Sequence, residues 1–95
     1  MPIAEAIRTQ HLLTFNYDGY MRTVEPHTYG TDRKGHRALR AYQVEGGSES
    51  GERMGWKIFH ERDMKGLAVL PHSFQGPRPG YKRADQLFAH IEAQL

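Results

Sequence analysis

Leu13-Thr14-Phe15-Asn16-Tyr17-Asp18-Gly19 decides the fold class. Leu13, Phe15 and Tyr17 alternate with Thr14 and Asn16, the period of two that gives a strand one apolar face. Asp18-Gly19 follows as a hairpin turn signal, because both residues accept the left-handed backbone that a two-residue loop needs. Met21 to Glu25 then returns as the partner strand, expected to stop at Pro26. The same punctuation recurs downstream. Arg33-Lys34-Gly35 marks a turn before a strand from Arg37 to Glu45, and Gly46-Gly47-Ser48-Glu49-Ser50-Gly51 reads as a flexible hairpin tip. Met54 to His60 and Gly66 to Leu70 read as two further strands, the last ended by Pro71. Five short strands joined by tight turns predict a small, strongly bent β-barrel.

Helices are expected on both sides of these strands. Ile3, Ala6, Ile7, Leu12 and Leu13 recur at helical spacing, so residues 2 to about 12 predict an amphipathic helix with Pro2 in its first turn. Pro77-Arg78-Pro79-Gly80 reads as a rigid, extended spacer. Beyond it, Leu87, Phe88, Ile91 and Leu95 fall on one face of a helix over 84–95. The chain is thus expected to be mainly β with flanking helices (α+β): a barrel domain with its N-terminal helix over 1–72, a Pro/Gly spacer over 73–83, and a C-terminal helix over 84–95. That last helix would be carried away from the barrel with an apolar face to bury, either back on its own barrel or on a neighbour, and a homo-oligomer is the expected assembly.

Composition narrows the function classes. Ninety-five residues allow one small core. A mean hydropathy of -0.73 is low, but 11% aromatic residues argue against disorder. No apolar run approaches the ~20 residues that span a bilayer, so no membrane partner is expected. The N-terminus lacks the basic and apolar regions of a secretory signal, and the chain has no cysteine. Disulfides, thiol catalysis and cysteine zinc sites are thereby excluded, and the expected address is the cytoplasm. A formal charge of +2 is only mildly basic, yet Arg33, Lys34, His36, Arg37 and Arg40 form a segment free of acids that can attract an anion.

Motifs for catalysis are missing. None of the six histidines forms an H-x-x-x-H or H-x-H pair, there is no P-loop, and no serine sits in a G-x-S-x-G elbow. Glu61 and Asp63 would share one side of a strand, where such pairs are usually solvated charges. No catalytic residue, metal ligand or cofactor is expected.

Ile3-Ala4-Glu5-Ala6-Ile7, then Leu13 to Gly19, then Arg22-Thr23-Val24-Glu25-Pro26-His27 closely resemble the opening of a WYL domain. That family begins with an I-x-x-A-I helix, an I-x-F-x-Y strand followed by glycine, and an R-x-V-x-P-H segment. Leu39-Arg40-Ala41-Tyr42 falls on the family's name-giving strand, and Trp56 to Met64 on its late R-x-F-x-x-x-R-I strand. The tail, Phe74 to Tyr81, looks like that of short free-standing members without a helix-turn-helix. The resemblance covers about residues 3 to 70. This chain departs from the pattern in carrying Arg37-Ala38-Leu39 for Trp-Tyr-Leu, Lys57 where an arginine is usual, and Asp63 for the late arginine, with Arg62 one step earlier.

The resemblance implies an Sm-like, SH3-type five-stranded barrel that serves as a ligand sensor in transcription regulation or prokaryotic defence, beside a separate regulator protein. It implies a groove for an anionic ligand, a nucleotide or a single-stranded nucleic acid. Carried over by position, the ligand-binding residues are Tyr17, Arg22, His27 and Tyr42, joined by Arg40, Lys57 and Arg62. Their chemistry is coherent: arginine donates to phosphate, tyrosine stacks on a base, and histidine adds a donor. Each also has a structural reading. Tyr17 and Tyr42 suit half-buried strand positions, His27 a turn cap, and Arg22 and Arg40 cross-strand pairs with Glu25 or Glu45. Trp56 reads as core or interface, with stacking on a base as its ligand reading. The alternative function is a structural protein that self-assembles through barrel edges or the C-terminal helix, with no ligand.

Overall fold

The structure is a computed structural model that describes residues 2–95. One helix, α1 (Pro2–Thr9), precedes six strands: β1 (His11–Tyr17), β2 (Tyr20–Asp32), β3 (Arg37–Gly46), β4 (Gly55–His60), β5 (Lys65–Ser73) and β6 (Phe88–Gln94). A single 3-10 turn, Glu61–Asp63, joins β4 to β5. All pairings are antiparallel, in the order β4-β3-β2-β1-β5, with β6 also on β2. None of the described helices is long and apolar enough to cross a membrane.

α1 is shorter than its periodicity suggested. Ile3, Ala4, Ala6 and Ile7 are buried against the sheet, and the helix stops where Gln10 takes a left-handed φ of 56°. Leu12 and Leu13 therefore belong to β1. Their helical spacing from Ile7 is incidental, because Leu13 and Phe15 already serve the strand's buried face. Tyr17 lies opposite Tyr20, so Asp18-Gly19 forms the two-residue turn the sequence indicates. The core combines α1 with Leu13, Phe15, Val24, Tyr29, Leu39, Ala41, Phe59 and Ala93. Phe15, Tyr17 and Phe59 meet edge to face, with ring centroids 4.9–6.3 Å apart.

β2 does not end at Pro26. Along one edge β2 pairs with β3 almost throughout; along the other it pairs with β1 up to Val24 and with β6 from Thr28. Pro26 sits in the interval between those two partners, where a missing N–H costs nothing. On the β3 side Pro26 faces Ala41 and Thr28 faces Arg40, which leaves His27 as the extra residue of a bulge. Similarly, β5 runs on through Pro71 to Ser73.

Three further expectations are corrected. There is no C-terminal helix: residues 88–94 form β6, paired with Thr28–Asp32. The second half of β2 presents unsatisfied backbone groups that only a strand can pair, and this outweighs the helical propensity of Leu, Ala, Glu and Gln. Nor is the sheet a closed five-stranded barrel. It has six strands, and its end strands β4 and β5 do not pair with each other. The 73–83 segment does not act as a spacer leading away. It lies back on the sheet, with Phe74 N–H on Gln10 O at 3.0 Å and the Trp56 indole N–H on Pro79 O at 3.0 Å.

Candidate functional site

Side-chain alternation sorts the predicted residues onto two faces. On β3, Leu39, Ala41 and Gln43 are fully buried on the core side, so Arg40 and Tyr42 point the other way. Trp56 stands opposite Tyr42 on β4 and shares that outer face, with the two rings edge to face at 5.5 Å. On β2, Glu25 faces outward beside Tyr42, and the bulge adds His27 to the same side. Segment 74–85 covers this face.

His27 is the knot of that covering. It has no exposed surface. Its Nδ1–H donates to Glu25 O at 2.8 Å, so Nε2 carries the lone pair that accepts the Arg78 N–H at 3.1 Å. The ring packs among Trp56, Phe74 and Tyr81, at 4.7, 5.8 and 5.4 Å between centroids. Burial pushes the His27 pKa below its usual 6.5, against the pull of the Glu25 carbonyl and charge. Glu25, itself buried, takes Arg78 in a fork, with Nε–Oε1 at 2.8 Å and Nη2–Oε2 at 3.0 Å. The same guanidinium lies 4.6 Å from the Tyr42 ring centre. Its hydrogen bonds to Glu25 raise the Arg78 pKa above the ordinary value.

Beside this knot a cavity of about 280 Å³ opens to solvent, lined by Arg40, Trp56, Gly80, Tyr81, Lys82 and Asp85. Arg40 is forked onto Asp85, with Nε–Oδ2 at 2.7 Å and Nη2–Oδ1 at 3.2 Å. Burial pushes the Asp85 carboxyl up, but the hydrogen bonds from Arg40 and the Leu87 N–H outweigh it and hold the pKa below the usual range. Lys82 is exposed and has no ion pair among the described residues. Gly80 is required here. It has a left-handed φ of 94°, and a Cβ would come 3.0 Å from the Trp56 indole nitrogen. The Tyr81 hydroxyl donates to Leu95 O at 2.7 Å, which fixes that ring at the cavity wall.

The other predicted residues lie elsewhere. Arg22 and Tyr17 are on the core face. Arg22 is 3% exposed, donating to Gln43 Oε1 at 3.1 Å and Tyr17 O at 3.0 Å, and it pairs with neither Glu25 nor Glu45. The Tyr17 hydroxyl accepts the His60 N–H at 3.0 Å. Lys57 alternates onto the side opposite Trp56 and holds the 47–54 loop through Ser48 Oγ and Glu52 O. Arg62 is exposed in the 3-10 turn. The structure thus gathers His27, Arg40 and Tyr42 at one face and separates Tyr17, Arg22, Lys57 and Arg62 from it.

Four residues at this face were not anticipated: Arg78, Tyr81, Lys82 and Asp85. The available signal was the charge and aromatic content of a stretch read as a spacer and family-like tail up to residue 83 and, at Asp85, as the start of a helix. A scan of family models, a search of curated proteins and a search of solved structures each return no match for this chain.

Proposed function

We propose that the chain is a WYL-like ligand-binding module that takes a phosphate-bearing ligand, a nucleotide or short single-stranded nucleic acid, in the cavity beside Trp56. One observation carries the reading: an unpaired Lys82 and a singly paired Arg40 flank an open aromatic wall of Trp56 and Tyr81. Lys82 supplies the charge that draws a phosphate in, and the base stacks on the indole. Arg40 exchanges the two oxygens of one carboxylate, Asp85, for two oxygens of the phosphate, a fork-for-fork replacement. His27 and Arg78 act one layer behind, holding the 77–81 segment against the sheet. In this reading the module works in the cytoplasm beside a separate regulator of transcription or defence, as WYL-like sensors do.

Trp56 is the chain's single tryptophan, so its fluorescence reports this cavity alone. Titration with oligothymidylate should quench it, with an affinity that falls with salt at a log-log slope of roughly 0.7 per phosphate contact. Lys82→Ala should weaken binding and flatten that slope. Trp56→Phe, followed by ligand fluorescence anisotropy, should weaken binding and leave the slope intact. Quenching that ignores salt, or an affinity untouched by Lys82→Ala, would overturn the reading.

A second reading has its own observation. The outer strands β4 and β5 carry exposed Ile58 and Val69, 36% and 43% accessible, and their free edges invite pairing with another chain. Light scattering separates the two: a 10.9 kDa species at high concentration removes self-assembly as the primary role.

A further inference from the structure

At the far end of the sheet, Asp32 closes β2, His36 ends the turn before β3, and His60 ends β4. β-pairing brings them together: His60 lies opposite Ala38, two residues beyond His36. Asp32 Oδ1 is committed to the turn, accepting the Lys34 N–H at 2.9 Å and the His36 N–H at 2.8 Å. Its other oxygen is free and faces both imidazoles. Oδ2 is 3.5 Å from His36 Nδ1 and 3.9 Å from His60 Nε2. One donor atom from each residue lies within 4.8 Å of the other two.

The His36 Nδ1 atom carries the sharper signal. It is enclosed and has no close hydrogen-bond partner, its nearest acceptor being Asp32 Oδ2 at 3.5 Å, which leaves its bonding capacity weakly used. A point equidistant from the three donor atoms lies at most ~2.4 Å from each, against the ~2.0–2.2 Å of zinc–imidazole and zinc–carboxylate bonds. In a tetrahedral site the donors lie ~3.3–3.6 Å apart, so the Asp32–His36 pair already fits and His60 closes in by up to ~1.5 Å. The neighbouring cation does not oppose this: Arg37 is already bound by Glu92 at 2.6 Å and lies 3.9 Å from Glu61.

We propose that Asp32, His36 and His60 bind one divalent transition-metal ion of the zinc type. Two imidazoles and one carboxylate suit zinc, cobalt, nickel or copper and disfavour calcium and magnesium, which take all-oxygen shells. Three protein ligands leave one position of a tetrahedron open. His36 and His60 also line a cavity of about 370 Å³, together with Gly35, Arg37, Glu61 and Arg62. The ion ties the β2–β3 hairpin to the end of β4, independently of the cavity at Trp56.

The test is calorimetric titration of the full chain with zinc chloride, paired with visible absorbance on cobalt(II) loading. One ion per chain is expected, with a tetrahedral cobalt band and a thermal midpoint that rises with added zinc. His36→Gln, His60→Gln and Asp32→Asn should each weaken binding by at least ~10-fold, since losing even an outer partner costs about 10–100-fold. Asp32→Asn keeps an Oδ1 acceptor for the turn, so the metal-free variant should still fold, and its thermal midpoint should gain less from added zinc than the parent's. His72→Gln, on exposed β5, should change nothing. No binding to the parent, or binding equally strong in His36→Gln and His60→Gln, would overturn the proposal.

Discussion

The hydrogen bonds of His27 make a quantitative prediction about acid. A backbone carbonyl can only accept, so Glu25 O fixes the proton on Nδ1; the Arg78 N–H can only donate, so Nε2 must be unprotonated. The folded protein therefore holds a neutral imidazole, in keeping with its lowered pKa. The unfolded chain has no such constraint and takes up a proton near 6.5. Below that pH the unfolded state binds more protons than the native state. Stability from this group is complete above about 6.5 and is lost as pH falls, until the lowered native pKa is passed. One proton corresponds to a slope of up to ~1.4 kcal/mol per pH unit in that window. The carboxylates of Asp32, Asp85 and Glu92, all held below their ordinary values, stabilise the fold throughout that window and lose this contribution only as pH falls below the ordinary carboxylate pKa. Urea unfolding at half-unit pH steps measures the slope. His27→Gln should be less stable at pH 7.5 by roughly 2–4 kcal/mol, from lost packing and an unmatched Arg78 N–H, and should lose its share of the slope below 6.5. A parent and variant with equal slopes would refute the tautomer argument. So would an imidazole NMR titration in which His27 of the folded protein takes up its proton at or above the ordinary 6.5.

Further outcomes follow from other contacts. Arg22→Met should cost about 2–4 kcal/mol in urea unfolding, because Gln43 Oε1 and Tyr17 O lose their donor inside the core. Gly30→Ala should destabilise by at least ~1–3 kcal/mol and expose β6 to hydrogen exchange ahead of β1. Its Cβ would fall 2.0 Å from His90 O and 2.9 Å from the Ile91 Cα, both backbone atoms that cannot step aside. Tyr29, whose phenol is pushed up to about 12 by burial and by donating to Glu61, should stay un-ionised in ultraviolet titration at a pH where exposed tyrosines have ionised.

Most of the fold was legible where alternation and turn chemistry agreed. Leu13, Phe15 and Asp18-Gly19 point the same way, and β1 and its turn stand as read. β6 was illegible because its register shifts twice against β2, between Tyr29 and Gly30 and between Thr31 and Asp32. Those shifts erase the period of two, and Leu87, Phe88, Ile91 and Leu95 are left at a spacing that suits a helix. Pro26 misled for a related reason: whether proline ends a strand depends on which neighbour lies beside it, and β2 changes neighbour there. Of the candidate face, His27, Arg40 and Tyr42 were named through the family resemblance, Arg40 also through its acid-free basic segment. Their separation from Arg22 and Tyr17 follows from alternation and from the bulge at His27, which no local signal announces. The grouping of Asp32, His36 and His60 depends on β3–β4 pairing across twenty-four residues of chain, so no short spacing rule could contain it.

Amide and indole NMR shifts during titration with oligothymidylate test the proposed binding face most directly. The account predicts that the Trp56 indole N–H and the amides of Arg40, Gly80, Tyr81 and Lys82 move together and saturate at one affinity, while the Asp18–Arg22 hairpin stays still. Shifts centred on Tyr17 and Arg22, or a spectrum unchanged at saturating ligand, would contradict it.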